Sequence, residues 1–127
     1  MKKAFIVLLL LAVPADPAML PWLRRLSLAG SCAVSFFGDY ASTREAAKLH
    51  AREANPFLRG HDGGPNLPLV FGLKAGGCAA SAFIQELSHS PKVDGIFIGA
   101  NVATAGVFTW ATIHNRQVID DLRAKGK

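Results

Sequence analysis

The sequence predicts an all-α protein, a small transmembrane helical bundle, on three observations. The first is Leu67–Leu87 (LPLVFGLKAGGCAASAFIQEL), a nearly unbroken apolar or small-residue run. As a helix it is long enough to cross the ~30 Å hydrocarbon core of a bilayer. The second is a similar run, Val93–Ile113, after a short polar connector. The third is composition. Half of the 127 residues are hydrophobic, 18% are charged and mean hydropathy is +0.26. Glycines sit inside the apolar runs, where membrane helices tolerate them better than soluble ones do. A chain of this length makes one domain.

Met1–Ala15 has the parts of a secretory signal. Lys2 and Lys3 form a positive start, Ala4–Val13 a short apolar stretch, and Val13-Pro14-Ala15 a small-residue cleavage site. The expectation is a signal peptide, or an uncleaved signal anchor, over 1–15, and a helical membrane domain over 16–127. Arg24-Arg25 lies behind this better signal, which disfavours a twin-arginine export reading. Ser31 breaks the spacing of a lipobox ending in Cys32.

Three spans follow, at approximately 26–43, 67–87 and 93–113; a retained anchor makes four. The first is short (LSLAGSCAVSFFGDY) unless its helix continues into Ser42-Thr43, and Trp22 before it suits headgroup depth. Thr43–Ala54 reads as a polar helix, either begun by a capping box at Ser42-x-x-Glu45 or continuous with the first span. Pro56 biases Asn55 away from helical angles and should end it there. Gly60–Pro68 reads as a loop, and the tail from His114 is polar and helical at most.

The formal charge of +5 is not gathered into a nucleic-acid patch. Arg24 and Arg25, then Arg44, Lys48, Arg52 and Arg59, then Arg116, Arg123, Lys125 and Lys127 flank the apolar runs. The positive-inside rule puts connector 44–66 and the C-terminus on the cytoplasmic side. The expected partner is membrane lipid, with the chain itself or another membrane protein as a further one.

Residues three, four, seven and eleven apart share a helix face. Ser31, Ser35, Asp39 and Ser42 align in the first span, Lys74, Ser81 and Gln85 in the second, and Asn101, Thr104, Thr112 and Asn115 in the third. These stripes should face inward, making Ser35, Ser42, Thr43, Ser81, Gln85, Asn101 and Asn115 the polar interior. A lone charge at membrane depth costs ~2.5–3.5 kcal/mol. In an antiparallel hairpin Asp39 and Lys74 differ in depth by only about three residues, ~4.5 Å, which a lysine stem bridges. An Asp39–Lys74 ion pair is expected. Cys32 and Cys78 fall at similar depth, where they could approach each other, but read first as inert buried thiols. Gly72, Gly76, Gly95 and Gly99 read as helix-packing positions. His50-x-x-Glu53 would put two ligand types on one helical face, but bundle metal sites need several such pairs, so no metal is expected. No nucleophile elbow or phosphate loop occurs, and neither catalytic residues nor a cofactor are expected.

Asp39-x-x-Ser42-Thr43, then Glu53-Ala54-Asn55-Pro56, then a span with Lys74 and a last span ending His114-Asn115 resembles a group of small bacterial multi-span membrane proteins of unknown function. Their signature is D-x-x-[ST]-T … E-x-N-P; Glu53, Asn55 and Pro56 match its second part. The resemblance covers roughly residues 25–118 and implies a multi-span helical protein, with no activity to transfer. The expected function is a non-enzymatic helix-packing subunit or scaffold. The alternatives are an oligomeric ion- or proton-handling element using Asp39, Lys74 and Asn101, and a secreted soluble protein with an apolar core.

Overall fold

The computed structural model describes residues 16–87 and 90–126. The expected signal over 1–15 lies outside them, as do Ser88 and His89 of the second connector. Three helices make up the described chain, and no β-strand occurs among these residues.

The first helix is a continuous rod in three parts: α1 (Leu20–Ala33), a π-helical stretch (Val34–Tyr40) and α2 (Ala41–Lys48). Ala33, Val34, Tyr40 and Ala41 at its joints all have right-handed helical angles. Pro21 sits in the first turn, where its missing N–H costs nothing. The rod therefore runs through Ser42, and no new helix starts there. It ends earlier than Pro56 implies. Leu49 leaves helical angles and His50 takes φ 59°, the left-handed turn that often terminates helices. His50 and Glu53 consequently share no helical face.

Residues 49–66 form an ordered loop. Glu53 N–H donates to Gly63 O (3.0 Å), Gly60 N–H to Gly64 O (2.7 Å) and Asn66 N–H to Leu58 O (2.7 Å). Gly63, at φ 84°, supplies a backbone conformation that side-chain-bearing residues resist. Asn66 then caps α3 (Leu67–Glu86), accepting from Leu69 N–H. Ser90 caps α4 (Pro91–Ala124) in the same way through Val93 N–H. With 34 residues, α4 is about 51 Å long and extends well past the apolar run that ends at Ile113. Both α3 and α4 are long and apolar enough to cross a membrane.

The first helix packs against both α4 and α3, whereas α3 and α4 make few contacts with each other. Two ends can be told apart. At the hairpin end, α3 meets the start of α4; at the loop end lie residues 49–66. A Cys32–Cys78 disulfide, with Cα atoms 6.0 Å apart, joins the first helix to α3 midway. The two cysteines are thus a cross-link and not separate thiols.

The tight glycine contact between helices falls at neither expected glycine pair. A Cβ added to Gly72, Gly76, Gly95 or Gly99 would meet no atom within 4 Å. Among the described residues, those glycines are not contact faces. A Cβ on Gly38 would instead lie 2.6 Å from Thr112 Oγ1 of α4.

Candidate functional site

The site is built from polar groups that three helices turn toward one another. At its centre Lys74 Nζ lies 2.6 Å from Asp39 Oδ2 and 3.1 Å from Ser35 Oγ, to which it donates. The Phe108 ring covers the same ammonium at 4.1 Å, a cation–π distance. Asn115 Nδ2 donates to Asp39 Oδ1, Ser42 Oγ and Thr43 Oγ1 at 3.0–3.2 Å. Asp39 thus accepts from helices on either side of it. The π-helical stretch carries Asp39 and Gly38, and the missing side chain at Gly38 lets α4 approach closely enough for Asn115 to reach across. Such stretches are rare and often mark functional positions.

Sequence periodicity places Lys74 and Gln85 in one stripe, but they serve different ends of the molecule. Gln85 and Asn101 exchange hydrogen bonds (2.8 and 3.1 Å) toward the hairpin end, and Asn101 also donates to Ser27 Oγ and Arg24 O. Thr104 is exposed and donates to its own Ala100 carbonyl, so it does not join the interior.

The hairpin end holds a cluster that the sequence reading missed. Arg24 is nearly fully buried; its Nε lies 2.8 Å from Asp94 Oδ1 and its Nη2 lies 3.3 Å from Glu86 Oε1. The Nε–Asp94 contact is close but not aligned as a hydrogen bond, so the attraction there is chiefly Coulombic. Arg25 grips Glu86 with both Nε and Nη2 (2.9 and 3.1 Å). Three helices are clamped there by opposite charges. The available signal was an acidic residue, Asp94, in the first turn of an otherwise apolar run, facing an Arg pair that looked like a solvated flank.

Because α3 and α4 diverge, a cleft of about 770 Å³ opens between them, backed by the first helix. Its walls include Leu73, Val107 and Phe108; Asp39, Lys74, Ser81 and Asn115 line it as well, and the Cys32–Cys78 bridge is part of its surface. Glu53 and Asn55 border it from the loop. They are also the joints of that loop. Glu53 Oε1 accepts from Asn55 N–H (2.9 Å), Asn55 Oδ1 accepts from Phe57 N–H (3.0 Å), and Glu53 O accepts from Arg59 Nε (2.9 Å). Pro56, with its fixed φ, sits inside the second of these side-chain-capped turns, between Asn55 and Phe57. No group of three or more His, Cys, Asp or Glu able to hold a metal occurs among the described residues. In comparisons with known proteins, the chain matches no family model, no curated protein and no solved structure.

Proposed function

We propose that this chain is a non-enzymatic integral protein of a bacterial inner membrane, a small helical subunit or scaffold that acts through the surfaces α3 and α4 leave uncovered. The observation that carries the reading is an inverted interior. Among the described residues the buried apolar ones are Ala46, Val70 and Ile119, against buried Arg24, Ser31, Ser35, Ser42, Gln85, Asp94 and Asn101. Meanwhile Phe83, Ile96, Val107 and Trp110 point outward. In water so small an apolar core would not offset the conformational entropy of folding. In lipid, interhelical polar contacts and close packing hold helices together. The alternative of a secreted soluble protein is disfavoured on the same ground.

The charge distribution supports an orientation with the loop end in the cytoplasm. Arg24 and Arg25 are offset by Asp94 and Glu86 at the hairpin end. Arg44, Lys48 and Arg52 have no ion-pair partner among the described residues at the loop end. The resemblance to small membrane proteins of unknown function fits this arrangement, since Glu53, Asn55 and Pro56 build the loop that borders the cleft. The test is alkaline carbonate extraction of membranes containing the full chain, with a reporter fused to the C-terminus. Retention in the pellet with a cytoplasmic reporter is expected; release into the supernatant overturns the reading.

One observation favours a second reading, ion or proton handling: Asp39 and Glu53 line the same cleft. Against it, the Gln85–Asn101 and Arg24–Asp94 contacts close the bundle toward the hairpin end, so a pathway needs further copies. Asp39→Asn that abolishes a measured flux while the protein stays folded would favour this reading over the first.

A further inference from the structure

The loop end carries a second hollow, on another face of the first helix, with a volume of about 880 Å³. Its upper wall is aromatic. Phe36, Tyr40 and Phe71 meet edge to face with ring centroids 5.5–6.5 Å apart, and Phe37 beside them is 83% exposed. One turn further along α2 the lining becomes cationic. Arg44 and Lys48, four residues apart and both exposed, share a face, and Arg123 reaches in from α4.

The one carboxylate in the lining, Glu45, is already held by Arg123 at 2.6 Å and by Arg116 at 3.5 Å. Arg44 and Lys48 have no ion-pair partner among the described residues. The hollow therefore joins an apolar, ring-lined wall to two uncompensated cations. That is the polarity of a phospholipid at a membrane surface: chains on one side, phosphate on the other.

Resting on the membrane reading above, we infer that this hollow binds an anionic phospholipid. Its acyl chains lie along Phe36, Phe37 and Phe71, and its phosphate sits between Arg44 and Lys48. A guanidinium meets phosphate oxygens through paired N–H groups, while an ammonium adds a compact charge. Basic pockets at the cytoplasmic side of helix bundles suit anionic headgroups, and the amphipathic ring of Tyr40, between the phenylalanines and Arg44, favours headgroup depth. The aromatic wall is what favours a lipid over free phosphate, because a small ion would leave it uncovered.

Native mass spectrometry of the full chain in mild detergent tests this, with phosphatidylglycerol, phosphatidylcholine or inorganic phosphate added in turn. The wild-type protein should retain phosphatidylglycerol over phosphatidylcholine. Arg44→Gln with Lys48→Gln should lower phosphatidylglycerol affinity about 30-fold, or about 2 kcal/mol at 1.4 kcal/mol per tenfold, in line with ~1 kcal/mol per basic side chain near an anionic surface. The charge-preserving exchange Arg44→Lys with Lys48→Arg should keep most of the preference, and Lys92→Gln at the far end should change nothing. Equal retention of both lipids, or equal retention by wild type and the double glutamine variant, overturns the lipid site and leaves the membrane reading standing. Displacement of the lipid by equimolar inorganic phosphate overturns it in favour of a simple anion site. A chain that stays monomeric in buffer without detergent overturns both.

Discussion

The two ends of the bundle use opposite charges in different ways. At the hairpin end the Arg24 and Asp94 side chains are 3% and 6% exposed, and Glu86 and Arg25 close over them. At the loop end Lys74 and Asp39 are 8% and 16% exposed and border an open cleft. The first cluster is a clamp that draws three helices together where the cleft does not reach. The second is a polar wall, with Asn115, Ser35 and Phe108 fixing the ion pair at the edge of a space other molecules can enter. The chemistry is similar, but the degree of enclosure separates an element that holds the fold from one placed to meet something.

That difference predicts unequal responses to removing one charge. Arg24→Met strands Asp94 in a nearly closed setting and should cost about 3–5 kcal/mol, the range for breaking a buried pair. Lys74→Met should cost less, about 1.5–3 kcal/mol, the range for a lost hydrogen bond to a charged group. Asp39 then keeps its bond from Asn115 and borders a cleft that water can enter. Adding Asp39→Asn to Lys74→Met should recover part of the loss, since no lone charge remains. Unfolding of all four proteins in one detergent measures the differences, and equal losses for Arg24→Met and Lys74→Met would erase the distinction between the ends.

The disulfide lies between these regions and couples them. Closing a loop between Cys32 and Cys78, 46 residues apart, contributes about 2–4 kcal/mol when the unfolded chain is otherwise free. On the membrane reading the unfolded reference keeps its helices inserted and has less freedom to lose, so the lower part of that range is expected. Cys32→Ser with Cys78→Ser should therefore destabilise less than Arg24→Met, as read by the same unfolding measurement. Since the bridge lines the cleft, a small membrane-permeant thiol reductant should reproduce the effect in the folded wild-type protein. Resistance to reduction without unfolding would mean the cleft does not admit even a small molecule.

How much of this was legible in the sequence depends on which physical rule wrote it. Helical period and hydropathy carry the two apolar helices and the facing of Ser35, Asp39 and Ser42, because those rules act within one segment. Counting residues from the connector brings Asp39 to the depth of Lys74. The rotation of one helix against another is not written in any single segment. Cys32 and Cys78 could be placed at one depth but not aimed at each other, and Gln85 could not be separated from Lys74. The hairpin-end clamp was hidden because arginines at the edge of an apolar run look the same whether solvated or paired. One helix end misled: His50 breaks α2 without a glycine or proline. α4 outlasts its apolar run because polar residues sustain helical hydrogen bonds as well as apolar ones do.

The smallest expected effects test which glycines matter. Gly38→Ala pushes a Cβ toward Thr112 Oγ1, which is itself held by the Phe108 carbonyl at 2.7 Å. Its rotation would cost that bond, and a loss of about 1–3 kcal/mol is expected, as for overpacking. Gly76→Ala and Gly95→Ala meet nothing among the described residues and should not destabilise the monomer, since alanine is the better helix former. What those two substitutions can change is association with other helices. Energy transfer between donor- and acceptor-labelled copies in vesicles reads this directly. A drop for Gly76→Ala with an unchanged unfolding curve would make the outward glycine stripe of α3 a contact between chains. An unchanged signal would leave Gly38 as the glycine whose missing side chain the bundle requires, and the α3 and α4 glycines as residues with no packing role in the bundle or between copies.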